Sequence, residues 1–157
     1  MSKYDWLLFL HVFAAFLFLS GAVVAGLLQF SAMQRSRPSE IALLFRLTRV
    51  AEVLMGIGSL AVLGFGIWLA DYLGYGFGQE WIIAAIVLWF VSGALGGAGG
   101  RTYRKARKLA ERLSRTGDEP SDELRRLVRS VPALVLSYLS TAAVIAILVL
   151  MVWKPGV

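Results

Sequence analysis

The chain has 157 residues, of which 58% are hydrophobic, with a mean hydropathy of +0.70 and a formal charge of +6. A domain of this length has too little interior to hide that much apolar side chain, which argues against a soluble globular fold and for a lipid environment. With no cysteine, disulfides, thiolate metal sites and thiol nucleophiles are excluded.

Four apolar runs approach the roughly 20 residues that a helix needs to cross the hydrocarbon layer. They come in blocks without alternation, which speaks against strands, and helices satisfy their own backbone polar groups in lipid. The expected fold is all-α: one transmembrane domain over 1–157, a four-helix bundle with a basic helical hairpin at about 100–130.

The first span covers about 4–29. It exceeds the apolar core of about 7–15 residues in a cleavable signal peptide, and Asp5 stands beside Lys3 at its start, so it is expected to be retained. It carries His11, the only histidine, followed by Ser20, Ala22 and Gly26. In the first connection, "RPSE" marks a helix start near Glu40. The second span covers about 51–73, and its helix can continue inward through Arg46 and Arg49. Arg49 and Glu52, three apart, share a helix face and can pair. Gly56, Ser59, Gly64 and Gly66 are its small residues.

The third span, about 81–99, ends in "GALGGAGG", where Gly93/Gly97 and Gly96/Gly100 are small residues at helix-packing spacing. "RTYRKARKLAERLSR" follows without a break and reads as a helix leaving the membrane or lying on anionic headgroups. Gly117 can stop it, and Ser121 with Asp122 can cap the short helix "DELRRLVRSV" that returns to the bilayer. The fourth span covers about 131–153. The basic stretch lacks an aromatic stacking platform or a groove-reading motif, so nucleic acid is not an expected partner.

Charge sets the orientation. Of the 16 Lys and Arg residues, four lie in the first connection and ten in the third, while "DYLGYGFGQE" between the second and third spans has none. The positive-inside rule puts the first and third connections in the cytoplasm and both termini outside a bacterial inner membrane. Trp6, Trp68, Tyr72, Tyr75, Phe77, Trp81 and Trp153 gather at the outer edge as an interfacial belt. Asp71 and Glu80 stand at the same edge, where water reaches them.

His11 asks for a reason, because intramembrane ionisable groups are costly and often functional. At about 1.5 Å per residue it lies some 7–8 Å below Trp6. Desolvation favours the neutral ring, which has one donor and one acceptor to satisfy. It can bond another helix, it can ligate a metal or haem b, or it can transfer protons. A zinc site needs more nitrogen or sulfur donors than one chain offers, but haem accepts His/Met ligation. Met151, in the same leaflet, is then the better-placed thioether; Met33 and Met55 lie toward the inner side. One His11 from each chain of a homodimer, or His11 alone, could also serve. No phosphate loop, nucleophile elbow, triad or paired carboxylate site appears in the sequence.

The start "YDWLLFLHVFAAFLFLSGAVVAGL", the stretch "GIGSLAVLGFGIWLA" and the ending "MVWKP" at Met151 to Pro155 together resemble the bacterial integral-membrane family known as domain of unknown function 2269. That family is distantly similar to copper-resistance D-type membrane proteins and to four-helix, haem-associated protoporphyrinogen oxidases. In the oxidases a first-span histidine matters, and His11 is the matching position. The oxidase tryptophan before a later glycine is replaced here by "FLFLSG", and a further proline–arginine pair is missing. The resemblance therefore implies a fold and a topology more than a reaction. The expected function is haem binding through His11 in redox chemistry or haem handling. The alternatives are a structural or interaction protein and a small-solute or copper transporter.

Overall fold

A computed structural model describes residues 2–76 and 78–155. The helices are α1 (Lys3–Met33), α2 (Pro38–Tyr72), α3 (Glu80–Leu113), α4 (Asp122–Val128) and α5 (Val131–Trp153). Among the described residues there is no strand. Four helical stretches are long and apolar enough to cross a membrane, counting α4 and α5 as one. Their most apolar windows have hydropathies of 2.0 to 2.5, yet only 6 to 22% of each window is buried. Grease that points outward to this degree requires lipid around it.

Local chemistry sets the helix ends. Ser2 and Asp5 form a reciprocal capping box: the Ser2 amide donates to Asp5 Oδ2 at 2.7 Å, and the Asp5 amide donates to Ser2 Oγ at 3.2 Å. Pro38 opens α2, so Arg46 and Arg49 lie well inside that helix. Gly74, at φ 73°, ends it, and the Tyr75 amide donates back to the Ala70 carbonyl at 3.0 Å. α3 runs unbroken through the basic stretch to Leu113, and Gly117 (φ 133°) turns the chain. Ser121 Oγ caps α4 by accepting from the Leu124 amide.

The long helices pack in chain order: α1 on α2, α2 on α3, and α3 on α5. α1 and α2 are antiparallel with their backbones nearly touching. A Cβ on Gly58 would lie 2.6 Å from the Phe18 amide nitrogen, and one on Gly21 would lie 3.0 Å from the Ala51 carbonyl oxygen. α3 and α5 meet at Gly99, where a Cβ would come within 3.1 Å of the Ala133 carbonyl oxygen, and at a serine pair. Ser140 Oγ donates to the Ser92 carbonyl at 2.9 Å, and the two hydroxyls are 3.0 Å apart. Trp89 Nε1 donates to Ser59 Oγ at 3.0 Å and ties α3 to α2. These bonds join helices that have no hydrophobic drive to associate in lipid.

The glycines singled out by spacing divide differently. Gly96 faces Ser140, at 3.2 Å from its Oγ, but Gly26, Gly56, Gly64, Gly93 and Gly97 face open space. The packing faces instead follow seven-residue steps: Leu7, Ala14 and Gly21 on α1, and Ala85, Ser92, Gly99 and Ala106 on α3.

The two ends of the bundle contrast. At one end Lys3 Nζ sits 5.6 Å from the Tyr72 ring centre, and Lys154 Nζ sits 5.4 Å from that of Tyr75. Lys3 thus meets the end of α2, and Lys154 meets the α2–α3 connection and the start of α3. Trp6, Trp68, Tyr72 and Trp153 are exposed there as a belt requires, whereas Trp81 is 5% exposed and packs with Ala70 and Ile82. Trp81 is therefore a core residue, and Phe77 lies outside the described residues.

The basic end is a folded cap. Ala32, Ile41, Phe45, Tyr103, Ala106, Ala110, Leu124 and Val128 share one buried core with Ala133. Asp118 reaches the first turn of α2, accepting from the Ser39 amide and hydroxyl at 2.6 Å each. Arg129 donates twice to the Met33 carbonyl at the end of α1, at 3.1 and 2.9 Å. The expected Arg49–Glu52 pair is not formed. Among the described residues ion pairs join only Arg35 to Glu40 and Arg107 to Glu111. Glu52 turns toward Tyr103 and Arg104, while Arg49 faces a separate groove.

Candidate functional site

Leu7, Ala14 and Gly21 put one face of α1 against α2, and His11 lies on that face between Leu7 and Ala14. Its ring, half-buried, crosses to α2, with Nδ1 3.1 Å from the Val62 carbonyl oxygen. A carbonyl can only accept, so this bond requires the proton on Nδ1 and, in the neutral ring, leaves the lone pair on Nε2. Nε2 has no hydrogen-bond partner among the described residues.

Val62 O is free to accept because the helical bond it already receives occupies only one of its two lone pairs. Gly66, one turn further along α2, makes room for the ring: a Cβ there would lie 3.0 Å from Cε1 and 3.3 Å from Nδ1 of His11. Gly66 was legible only as one small residue among several. Its role depends on the facing register of α1, which a single sequence does not display.

Met151 sits elsewhere. It packs beside Trp81, Ala70 and Ile82 at the aromatic end, and α1 and α5 share no packed face among the described residues. Within one chain His11 is thus held by α2, and Met151 belongs to the α2–α3–α5 side. Among the described residues no group of three His, Asp or Glu side chains converges to hold a metal ion. Two hollows lie at the basic end among the described residues, and neither is lined by His11.

Chemically, the site offers one oriented imidazole. Anchoring Nδ1–H on a backbone carbonyl is how ligating histidines are usually fixed, with the other nitrogen presented as donor. For haem, His11 could supply one ligand nitrogen. A second protein ligand would have to come from movement of α5 or from another chain.

A family model described as "Predicted integral membrane protein (DUF2269)" matches residues 5–155. No curated protein and no solved structure matches the chain.

Proposed function

The chain belongs to the DUF2269 family of predicted integral membrane proteins, and for it we propose a haem b-associated role, in redox chemistry or haem handling, in which His11 would hold the haem through Nε2. The observation that carries this is the Nδ1 contact with the Val62 carbonyl, which fixes the tautomer and leaves Nε2 available. A bound haem would supply one-electron chemistry at its iron. The protein's own share is to hold the imidazole neutral and oriented, with Gly66 keeping the space for its ring. Met151 would serve as second ligand only with α5 displaced toward α1. Two chains of a homodimer, each giving one His11, need no such movement.

In this proposal the protein lies in a bacterial inner membrane with the basic end in the cytoplasm against anionic headgroups. Both termini are outside.

The test is the absorption spectrum of detergent-purified protein produced with haem available. A Soret band that is lost in His11→Ala is expected. Colourless wild type, or a band unchanged in that variant, rejects haem ligation. The close seat on Gly66 favours a second reading, in which His11 only pins α1 to α2. That reading gives colourless protein that loses stability in His11→Ala.

A further inference from the structure

At the basic end an open groove of about 450 Å³ runs between α2 and the extension of α3. Arg46 and Arg49 line it from α2, Arg107 and Arg115 from α3, together with Ala42, Leu43 and Glu111. Four guanidinium groups face a single carboxylate. Glu111 engages Arg107 at 3.7 Å, and among the described residues Arg46, Arg49 and Arg115 have no ion-pair partner. Like charges gathered from two helices repel, and among the groove's described residues Glu111 is the one carboxylate set against them. Guanidinium forks match phosphate oxygens in shape and charge.

The groove also has an apolar exit. Leu43 lines the groove itself, and Leu47 and Val50, exposed 47% and 60%, continue along α2 toward its spanning part. Phe45 and Tyr103, their ring centres 6.3 Å apart, pack in the neighbouring hollow that shares Arg107.

We propose that this groove is a discrete phosphate-ester site, with Arg46, Arg49, Arg107 and Arg115 holding the oxyanion of an anionic phospholipid while Leu47 and Val50 carry its acyl chain. It builds on the general headgroup contact proposed above but assigns the ligand to one place. Native mass spectrometry of the detergent-purified full chain, titrated with phosphatidylglycerol or phosphatidylcholine, tests it. Wild type is expected to retain phosphatidylglycerol preferentially. Arg46→Gln/Arg49→Gln is expected to weaken that retention about tenfold, while Arg125→Gln/Arg126→Gln, which removes the same charge from outside the groove, leaves it unchanged. Equal losses in the two double variants overturn the discrete site and leave only diffuse headgroup attraction. No preference for phosphatidylglycerol in wild type overturns both.

A competing arm with inorganic phosphate separates the sources. If phosphate does not displace the lipid, the ligand is the phospholipid; if it does so at millimolar concentration, the site is upheld for a soluble phosphorylated ligand. Melting temperature is read in parallel, and Arg46→Lys/Arg49→Lys, which keeps the charge, is expected to retain part of the binding.

Discussion

The His11 ring rests directly on Gly66: a methyl group added there would stand 3.0 Å from Cε1. Gly66→Ala is therefore expected to push the ring off Val62 and weaken the α1–α2 pair. The cost should be about 0.6 kcal/mol, the usual scale of an interhelical bond in lipid. Gly64→Ala, with nothing within 4 Å, should be silent. Equilibrium unfolding in mixed micelles measures both. If haem ligation holds, Gly66→Ala also weakens the Soret band while Gly64→Ala does not.

Gly58 is a harder constraint, because its would-be Cβ meets backbone at 2.6 Å, at the Phe18 amide nitrogen. Backbone cannot rotate aside, so the two helices must separate. Gly58→Ala is expected to destabilise by about 1–3 kcal/mol, as overpacking does. Gly56→Ala, two residues away and open, should stay within about 0.5 kcal/mol of wild type. Equal effects at the two sites would contradict this register.

Ser92 and Ser140 couple α3 to α5. A double-mutant cycle with Ser92→Ala and Ser140→Ala should give a coupling of about 0.6 kcal/mol, with about 1.7 as an upper bound. A coupling of zero would show that the hydroxyls find equivalent partners once separated.

Asp118 supplies a pH dependence. The Ser39 hydroxyl, then the Ser39 amide, hold its carboxyl below the ordinary 3.8, with Arg37 adding a smaller pull. A carboxylate whose folded value is depressed stabilises fully above its unfolded value and loses that contribution as pH falls through the folded one. The Ser39 amide proton shift should accordingly titrate with a midpoint below 3.8. Asp118→Asn should abolish the transition. A midpoint at or above the ordinary value would mean that the bonds to Ser39 are not kept in solution.

The spans were legible because hydropathy along a chain is a one-dimensional property, and lipid reads it the same way. The sharing of charge between connections was legible for the same reason. The basic stretch declared its helices through Gly117 and Ser121. What stayed hidden depends on rotation about helix axes. Gly93/Gly97 and Gly96/Gly100 have the same spacing, yet Gly96 meets Ser140 while Gly93 and Gly97 do not meet another helix. The seven-residue step from Leu7 through Ala14 to Gly21 carried the phase that pairwise spacing could not. His11 was recognised as the unusual residue, but Val62 and Gly66 carry no chemical signature of their own. They became partners only through the antiparallel register. Trp81 read as a belt residue because its burial depends on how α2, α3 and α5 converge.

The ends of α1 and α2 are finished by side chains that come from far downstream: Asp118 on Ser39 and Arg129 on Met33. A ribosome delivers those two residues only after α3 has been made. Until then the corner of the first hairpin at the basic end is unfastened, and the later segment acts as the clasp that closes it. Maturation of this protein thus has a built-in order, in which the second half of the chain completes the first.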